Sequence, residues 1–255
     1  METFALFTLV GFFAQLVDGA LGMAYGIVTS TVMLAFGVPP AQTSAAVHAA
    51  EVFTTGTSGI SHLIHRNIDK QLFLRLVPAG VAGGVLGAYV LTSIDGNTIK
   101  PFVVAYLALM AVLIITKSFV SVPSRPIPAK LVMPLGLVGG FADASGGGGW
   151  GPVVTSSLLG AGGEPRYVIG TVNAAEFFVS LSVSIAFVIA LVTGHWENAG
   201  GFESHLSAIA GLILGGVVAA PLAGYVLKKL DRLLIMRAVG ALVAVLAAYQ
   251  GYRLL

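Results

Sequence analysis

Eight apolar stretches follow one another along this 255-residue chain, at 3–36, 40–64, 72–93, 98–119, 130–160, 166–193, 205–228 and 232–252. A helix that crosses the roughly 30 Å hydrocarbon core of a bilayer needs about 20 predominantly apolar residues. Each stretch meets that requirement. The alternative is a soluble domain with unusually apolar helices. It would need a charged surface, yet 9% of the residues are charged, against roughly 25% in soluble domains. The sequence therefore predicts an all-α polytopic membrane protein with the lipid bilayer as its surroundings. Its 33 glycines fit that class, because glycine lets membrane helices approach closely. The absence of cysteine removes disulfides, thiolate metal sites and cysteine nucleophiles. With a net charge of +2 and basic residues confined to short loops, no nucleic-acid partner is expected. The start, Met1-Glu2-Thr3-Phe4, lacks the basic region of a cleaved signal peptide, so the first stretch is expected to stay in the mature protein.

The stretches fall into two copies of a four-segment unit, 1–120 and 130–255, joined by the linker 121–129. The linker holds the proline-dense run Ser121-Val122-Pro123-Ser124-Arg125-Pro126-Ile127-Pro128. A shift of 125 positions carries Asp18 onto Asp143, Gly22 onto Gly147, Tyr25 onto Trp150, Gly26 onto Gly151, Gly37 onto Gly162 and Pro40 onto Pro165. It also carries Ala49-Ala50-Glu51 onto Ala174-Ala175-Glu176 and Phe53 onto Phe178. A shift of 136 then carries Gly80-Val81 onto Gly216-Val217, Tyr89-Val90-Leu91 onto Tyr225-Val226-Leu227 and Asp95 onto Asp231. The difference is taken up by the loop around His195-Trp196-Glu197-Asn198. Apolar sequence aligns easily by chance; three acidic pairs in register do not.

The first stretch of each copy is too long for one ordinary span and is interrupted by glycines, at Asp18-Gly19-Ala20-Leu21-Gly22 and at Asp143-Ala144-Ser145-Gly146-Gly147-Gly148-Gly149. Each glycine weakens a helix by about 1 kcal/mol. The arms beside the break hold about 14 residues, or about 21 Å of helix, short of a crossing. Each stretch is therefore one broken span or a hairpin that dips to the midplane and returns. Basic residues separate the two. If the hairpins return, one side collects Arg66, Lys70, Arg75, Lys117, Arg125, Lys130, Arg166, Lys228, Lys229, Arg232 and Arg237, and the other keeps Lys100 and Arg253. The bias of Lys and Arg toward the cytoplasm selects this arrangement. Three full crossings per copy then make the repeats inverted, with both hairpins meeting near the midplane and both termini facing outward.

Non-helical backbone at membrane depth survives where it lines a cavity or is buried in protein. Helix N-termini at such breaks present N–H groups and a positive dipole end, which suits an anion. Gly22, Gly26, Gly147 and Gly148 are the backbone candidates, with Pro152 opening the next half-helix. Asp18 and Asp143 either cap a half-helix or act on the solute or a coupling ion. Glu51 and Glu176, flanked by alanines, either titrate during transport or accept hydrogen bonds from a neighbouring break. His48 lies on the helical face of Glu51, and its mate is Asn173; both can donate to an oxyanion or be packed and satisfied. Tyr25 and Trp150 either wall the cavity or pack. Ser44, Thr54, Thr55 and Thr171 are weaker candidates; His62 and His65 read as interfacial, and His195 and His205 as loop residues. No metal-ligand spacing, nucleophile–base pair or Walker-type phosphate loop appears, so no cofactor, metal or enzymatic activity is expected. The expected partner is a small anionic solute, and association with a second copy stays open.

The duplicated segments "GFFAQLVDGALGMAYGIVTSTVMLAFGVPPAQTSAAVHAAE" and "GGFADASGGGGWGPVVTSSLLGAGGEPRYVIGTVNAAEF" resemble the TauE/SafE family of bacterial membrane permeases, also known as sulfite exporters. The resemblance covers nearly the whole chain. It implies a secondary transporter of the bacterial inner membrane, with periplasmic termini, for sulfite, sulfoacetate or a related organosulfonate, with proton coupling as one option. A passive anion channel and an accessory subunit without transport of its own are the alternatives. A related thiosulfate-uptake group relies on cysteines, and that route is not expected in a chain without them.

Overall fold

The computed structural model describes residues 2–119, 126–196, 200–201, 205–227 and 232–254. Linker residues 121–125 and the loop residues Glu197 and Asn198 lie outside the described residues, as do Lys228, Lys229 and Asp231. Among the described residues the structure is helical, without strands. The helices of the first half are α1 (Glu2–Leu21), α2 (Tyr25–Ala35), α3 (Pro40–Ile64), α4 (Lys70–Ser93) and α5 (Gly96–Lys117). In the second half α6 (Ala129–Gly146) leads to a π-helical turn, Gly151–Thr155, that runs into α7 (Ser156–Gly160). Then come α8 (Pro165–Val192), α9 (Leu206–Leu227) and α10 (Arg232–Tyr252).

Local chemistry sets several starts. Pro40 and Pro165 open α3 and α8, where the missing N–H is not needed. Asp69 caps α4 by accepting from the N–H of Gln71 at 2.8 Å and of Leu72 at 3.1 Å. Asp95, one of the duplicated acids, caps α5 in the same way.

Both breaks open at the far ends of the glycine-bearing runs. Helix α1 runs through Asp18 and Gly19 to Leu21, and α6 runs through Asp143 to Gly146. One glycine inside a helix costs only about 1 kcal/mol, which a packed helix absorbs. The helices stop where φ turns positive, at Gly22 (67°) and Ala24 (131°) and at Gly147 (74°) and Gly148 (145°). The arm before the first break therefore has 20 residues, about 30 Å of helix, rather than the short arm expected. Helix α3 also departs from expectation. Among the described residues, the helices long and apolar enough to cross a membrane are Glu2–Gly19, α4, α5, α8 and Leu233–Tyr252. Helix α3 has the length, but its Ser, Thr, His and Glu lower its hydropathy, and it buries those residues against other helices instead.

The halves pack by exchange. Helix α1 of the first half lies along α9 of the second, and α6 of the second lies along α4 of the first. Helices α3 and α8 face each other between these pairs, and α5 packs on α10. Small residues allow both exchanged pairs. A Cβ at Gly11 would sit 2.5 Å from the Leu212 carbonyl oxygen, and one at Gly87 would sit 2.6 Å from that of Phe141. Each half also sends an aromatic ring into the other. Trp150 covers Gly80, where a Cβ would lie 2.5 Å from its Cη2, and Tyr25 covers Gly216. Gly80 and Gly216 are repeat mates, and so are Trp150 and Tyr25.

Candidate functional site

The two breaks meet at the centre of the molecule. Gly26, in the first turn of α2, touches the second break: a Cβ there would lie 2.8 Å from Gly148 Cα and 2.8 Å from Glu51 Oε1. Thr155 Oγ1 donates to the Gly22 carbonyl at 2.7 Å, crossing from the second half to the first break. Its mate Ser30 makes the reverse approach, with Oγ against Gly147. Tyr106, not among the sequence candidates, donates its hydroxyl to the Gly148 carbonyl at 3.1 Å.

Of the backbone candidates, Gly22 donates its N–H to the Asp18 carbonyl at 2.6 Å, and Gly147 and Gly148 donate theirs to the Asp143 carbonyl; the neighbouring N–H groups are held by the protein's own carboxylates. Asp143 Oδ1 accepts from Gly149 N–H at 2.7 Å and Trp150 N–H at 2.9 Å. Asp18 Oδ1 accepts from Tyr25 N–H at 3.2 Å. Each aspartate thus caps the helical turn that follows its break. This local reason fixes both acids where they are, and each keeps a second oxygen for other work. Asp143 Oδ2 faces His48 Nε2 at 3.2 Å. Asp18 Oδ2 has no hydrogen-bond partner among the described residues.

His48 and Asn173 are anchored alike, one turn back along their helices. His48 Nδ1 is 2.8 Å from the Ser44 carbonyl oxygen, and Asn173 Nδ2 donates to the Ile169 carbonyl at 3.1 Å. A carbonyl can only accept, so His48 Nδ1 carries a proton. Ser44, a weaker candidate from the sequence, ties this residue to the second break by donating to the Ala144 carbonyl at 2.6 Å. Glu51 Oε2 accepts from Ser180 Oγ of α8 at 3.3 Å, while its Oε1 lacks a partner among the described residues. Asn173 Oδ1 and Ser30 Oγ lack partners likewise. His48, Glu51, Asp143 and Asn173 are 0%, 0%, 1% and 0% exposed; Glu176 is slightly more open at 6%.

The side-chain polar atoms of Tyr25 and Trp150 bond elsewhere than to these groups. Tyr25 donates to the Leu212 carbonyl at 3.0 Å and Trp150 Nε1 to the Val172 carbonyl at 3.1 Å. Both rings serve the packing of the exchanged helices. Thr54 and Thr55 bond back to the Glu51 carbonyl, and Thr171 Oγ1 accepts from Asp69 N–H. His195 stacks on Tyr89, and His205 donates to Gln42 Oε1 at 2.9 Å; both stand apart from the centre. An open groove of about 510 Å³ between α3, α4 and α8 is walled by apolar residues such as Ile60, Leu63, Phe73 and Phe177. It suits an acyl chain better than an oxyanion.

Sequence reasoning found no metal-ligand spacing, yet ligand atoms of His48, Glu51 and Asp143 lie within 4.8 Å of one another. The spacing is invisible in the chain because Asp143 is 95 residues from His48. Ser180 was missed as well; it is the repeat mate of Thr55, and that correspondence could have raised it.

The model of the sulfite exporter TauE/SafE family matches residues 7–250. The chain is 40% identical over 236 residues to "Probable membrane transporter protein YtnM" of Bacillus subtilis (strain 168), covering 90% of this chain and 76% of that protein. It is 32% identical over 152 residues to "Probable membrane transporter protein ORF9" of Sinorhizobium sp, covering 58% of this chain and 57% of that one. No solved structure matches.

Proposed function

Because this chain belongs to the sulfite exporter TauE/SafE family and is a multi-pass membrane transporter, we propose that it carries a small sulfur-containing anion, of the sulfite or organosulfonate class, past the two helix breaks together with protons. One observation carries the reading. Around the two breaks, Asp18 Oδ2, Ser30 Oγ, Glu51 Oε1 and Asn173 Oδ1 are buried without partners among the described residues. An unpaired buried polar atom costs roughly 1–3 kcal/mol. Ser30 Oγ can donate to an oxyanion directly, and Asp18 Oδ2 and Glu51 Oε1 can do so once they carry a proton, which ties entry of the anion to protonation.

The same centre sets a condition on an anionic solute. Asp18, Glu51, Asp143 and Glu176 are buried, His48 is the one imidazole among them, and no described Lys or Arg is buried. Two like unit charges 4 Å apart repel by about 4 kcal/mol at an effective dielectric near 20. An anion therefore enters only when cations enter with it or carboxylates take up protons. This favours coupled carriage over a passive anion channel. In proteoliposomes, sulfite or sulfoacetate uptake is expected to saturate, to accelerate with a proton gradient in the same direction, and to fall at least about tenfold, equivalent to about 1.4 kcal/mol, in Glu51→Gln. Wild-type protein with no saturable flux of any sulfur oxyanion, or flux unchanged in Glu51→Gln, would defeat the reading.

The inverted arrangement of the repeats in the inner membrane belongs to the same proposal, and the distribution of basic residues supports it. Cysteines introduced one at a time, into this cysteine-free chain, at Thr3 and Arg253 are expected to react with an impermeant maleimide from the periplasm. One at Asn67 is expected to react from the cytoplasm. Labelling of all three from one side would refute the topology.

A further inference from the structure

We propose that His48, Glu51 and Asp143 form a binding site for one divalent transition-metal cation, of the Zn²⁺ or Mn²⁺ class, with a fourth position free for water or an anion. The inference does not depend on the identity of the transported solute. Its first support is the direction of the imidazole. With the Nδ1 proton committed to the Ser44 carbonyl at 2.8 Å, neutral His48 aims the Nε2 lone pair at Asp143 Oδ2, which is also an acceptor when ionised. The pair is held together either by a proton on Nε2, as an ion pair, or by a cation that takes that proton's place.

The separation of that pair also fits a shared ion. A charge-assisted N–H···O contact is about 2.7–2.9 Å long. Two ligand atoms on one tetrahedral ion, with bonds of about 2.0–2.1 Å, stand about 3.3 Å apart. His48 Nε2 and Asp143 Oδ2 are 3.2 Å apart. Glu51 completes the set: its carboxylate lies within 4.8 Å of the other two ligand atoms. Its Oε1 is fully buried without a partner among the described residues. Binding requires this carboxylate to close from that distance to about 3.3 Å of the other ligand atoms.

Each ligand is also oriented from behind, as ligands of bound metals are. Ser44 carbonyl fixes the imidazole, the N–H groups of Gly149 and Trp150 fix Asp143, and Ser180 Oγ fixes Glu51. One imidazole with two carboxylates selects a transition ion over Na⁺, Mg²⁺ or Ca²⁺, which take oxygen ligands. The equivalent place in the other half carries Asn173 instead of an imidazole, so one ion per chain is expected. A dication here would offset two of the four buried carboxylates.

The test uses detergent-purified full chain, stripped with EDTA and titrated with ZnCl₂ or MnCl₂. Bound metal is counted by mass spectrometry after desalting, and heat is measured by isothermal titration. The expected result is about one equivalent per chain, with affinity reduced at least about tenfold in His48→Asn and in Glu51→Gln. His48→Asn is the chosen substitution because the other half already holds asparagine at that place in the helix. No uptake by the wild-type chain would overturn the proposal. So would uptake undiminished in both variants, or uptake lost instead in a His62→Ala, His65→Ala chain. None of these readings involves solute flux, so failure here leaves the transport proposal to its own test.

Discussion

Replacing Gly148 by alanine is expected to destroy the folded chain more thoroughly than any other single methyl addition to the breaks. Gly148 has φ of 145°, in the region that side chains rarely adopt. A Cβ there would lie 2.5 Å from Ile27 N, 2.7 Å from Gly26 O and in collision with Gly26 C. All three are backbone atoms, so no side-chain rotation relieves the clash. Strain of about 1–3 kcal/mol adds to about 1–3 kcal/mol of overpacking, and stability of folded proteins is typically about 5–15 kcal/mol. Gly148→Ala should give little monodisperse protein in detergent and a strongly lowered melting temperature. The control is Gly251→Ala: a Cβ there meets nothing within 4 Å, and alanine favours the helix by up to about 1 kcal/mol. If both variants purify and melt like the wild type, the two breaks do not touch in the way described.

The second large effect separates the two duplicated aspartates. Asp143→Ala removes the acceptor of two backbone N–H groups and the partner of a buried imidazole. Breaking such a set leaves buried donors unsatisfied and is expected to cost about 3–5 kcal/mol. Asp18→Ala removes the acceptor of one N–H, at 3.2 Å, and should cost about 1–3 kcal/mol. Asp143→Asn keeps an acceptor oxygen for Gly149 and Trp150 and should recover part of the loss. Thermal unfolding of the three variants in one detergent decides the order. Equal losses in Asp18→Ala and Asp143→Ala would mean that capping and the histidine contact add nothing to each other.

These two experiments also divide what could be read early from what could not. The helical membrane class was legible because a bilayer imposes a length and an apolarity on every crossing, as in 98–119 against the observed Gly96–Lys117. The importance of the breaks was legible in the glycines. Their position was not, because the sequence cannot say which glycine adopts positive φ, and Gly19 proved helical while Ala24 turned the chain. For the aromatic mates Tyr25 and Trp150 the sequence left walling the cavity and packing both open. Their partners, the carbonyls of Leu212 and Val172, became visible only in the packed helices.

What the sequence determined by itself is the medium and the inventory: a chain that must lie in lipid, with a few acids and one histidine that lipid would reject unless they had partners. The tertiary structure decided who those partners are. His48 and Glu51 share a helical face by local geometry alone. Asp143 joins them because the halves exchange helices, α1 onto α9 and α6 onto α4, which brings the two breaks into contact. Contacts between residues so distant in the chain depend on how far backbones can approach, and the glycines set that distance through neighbours that no local pattern names.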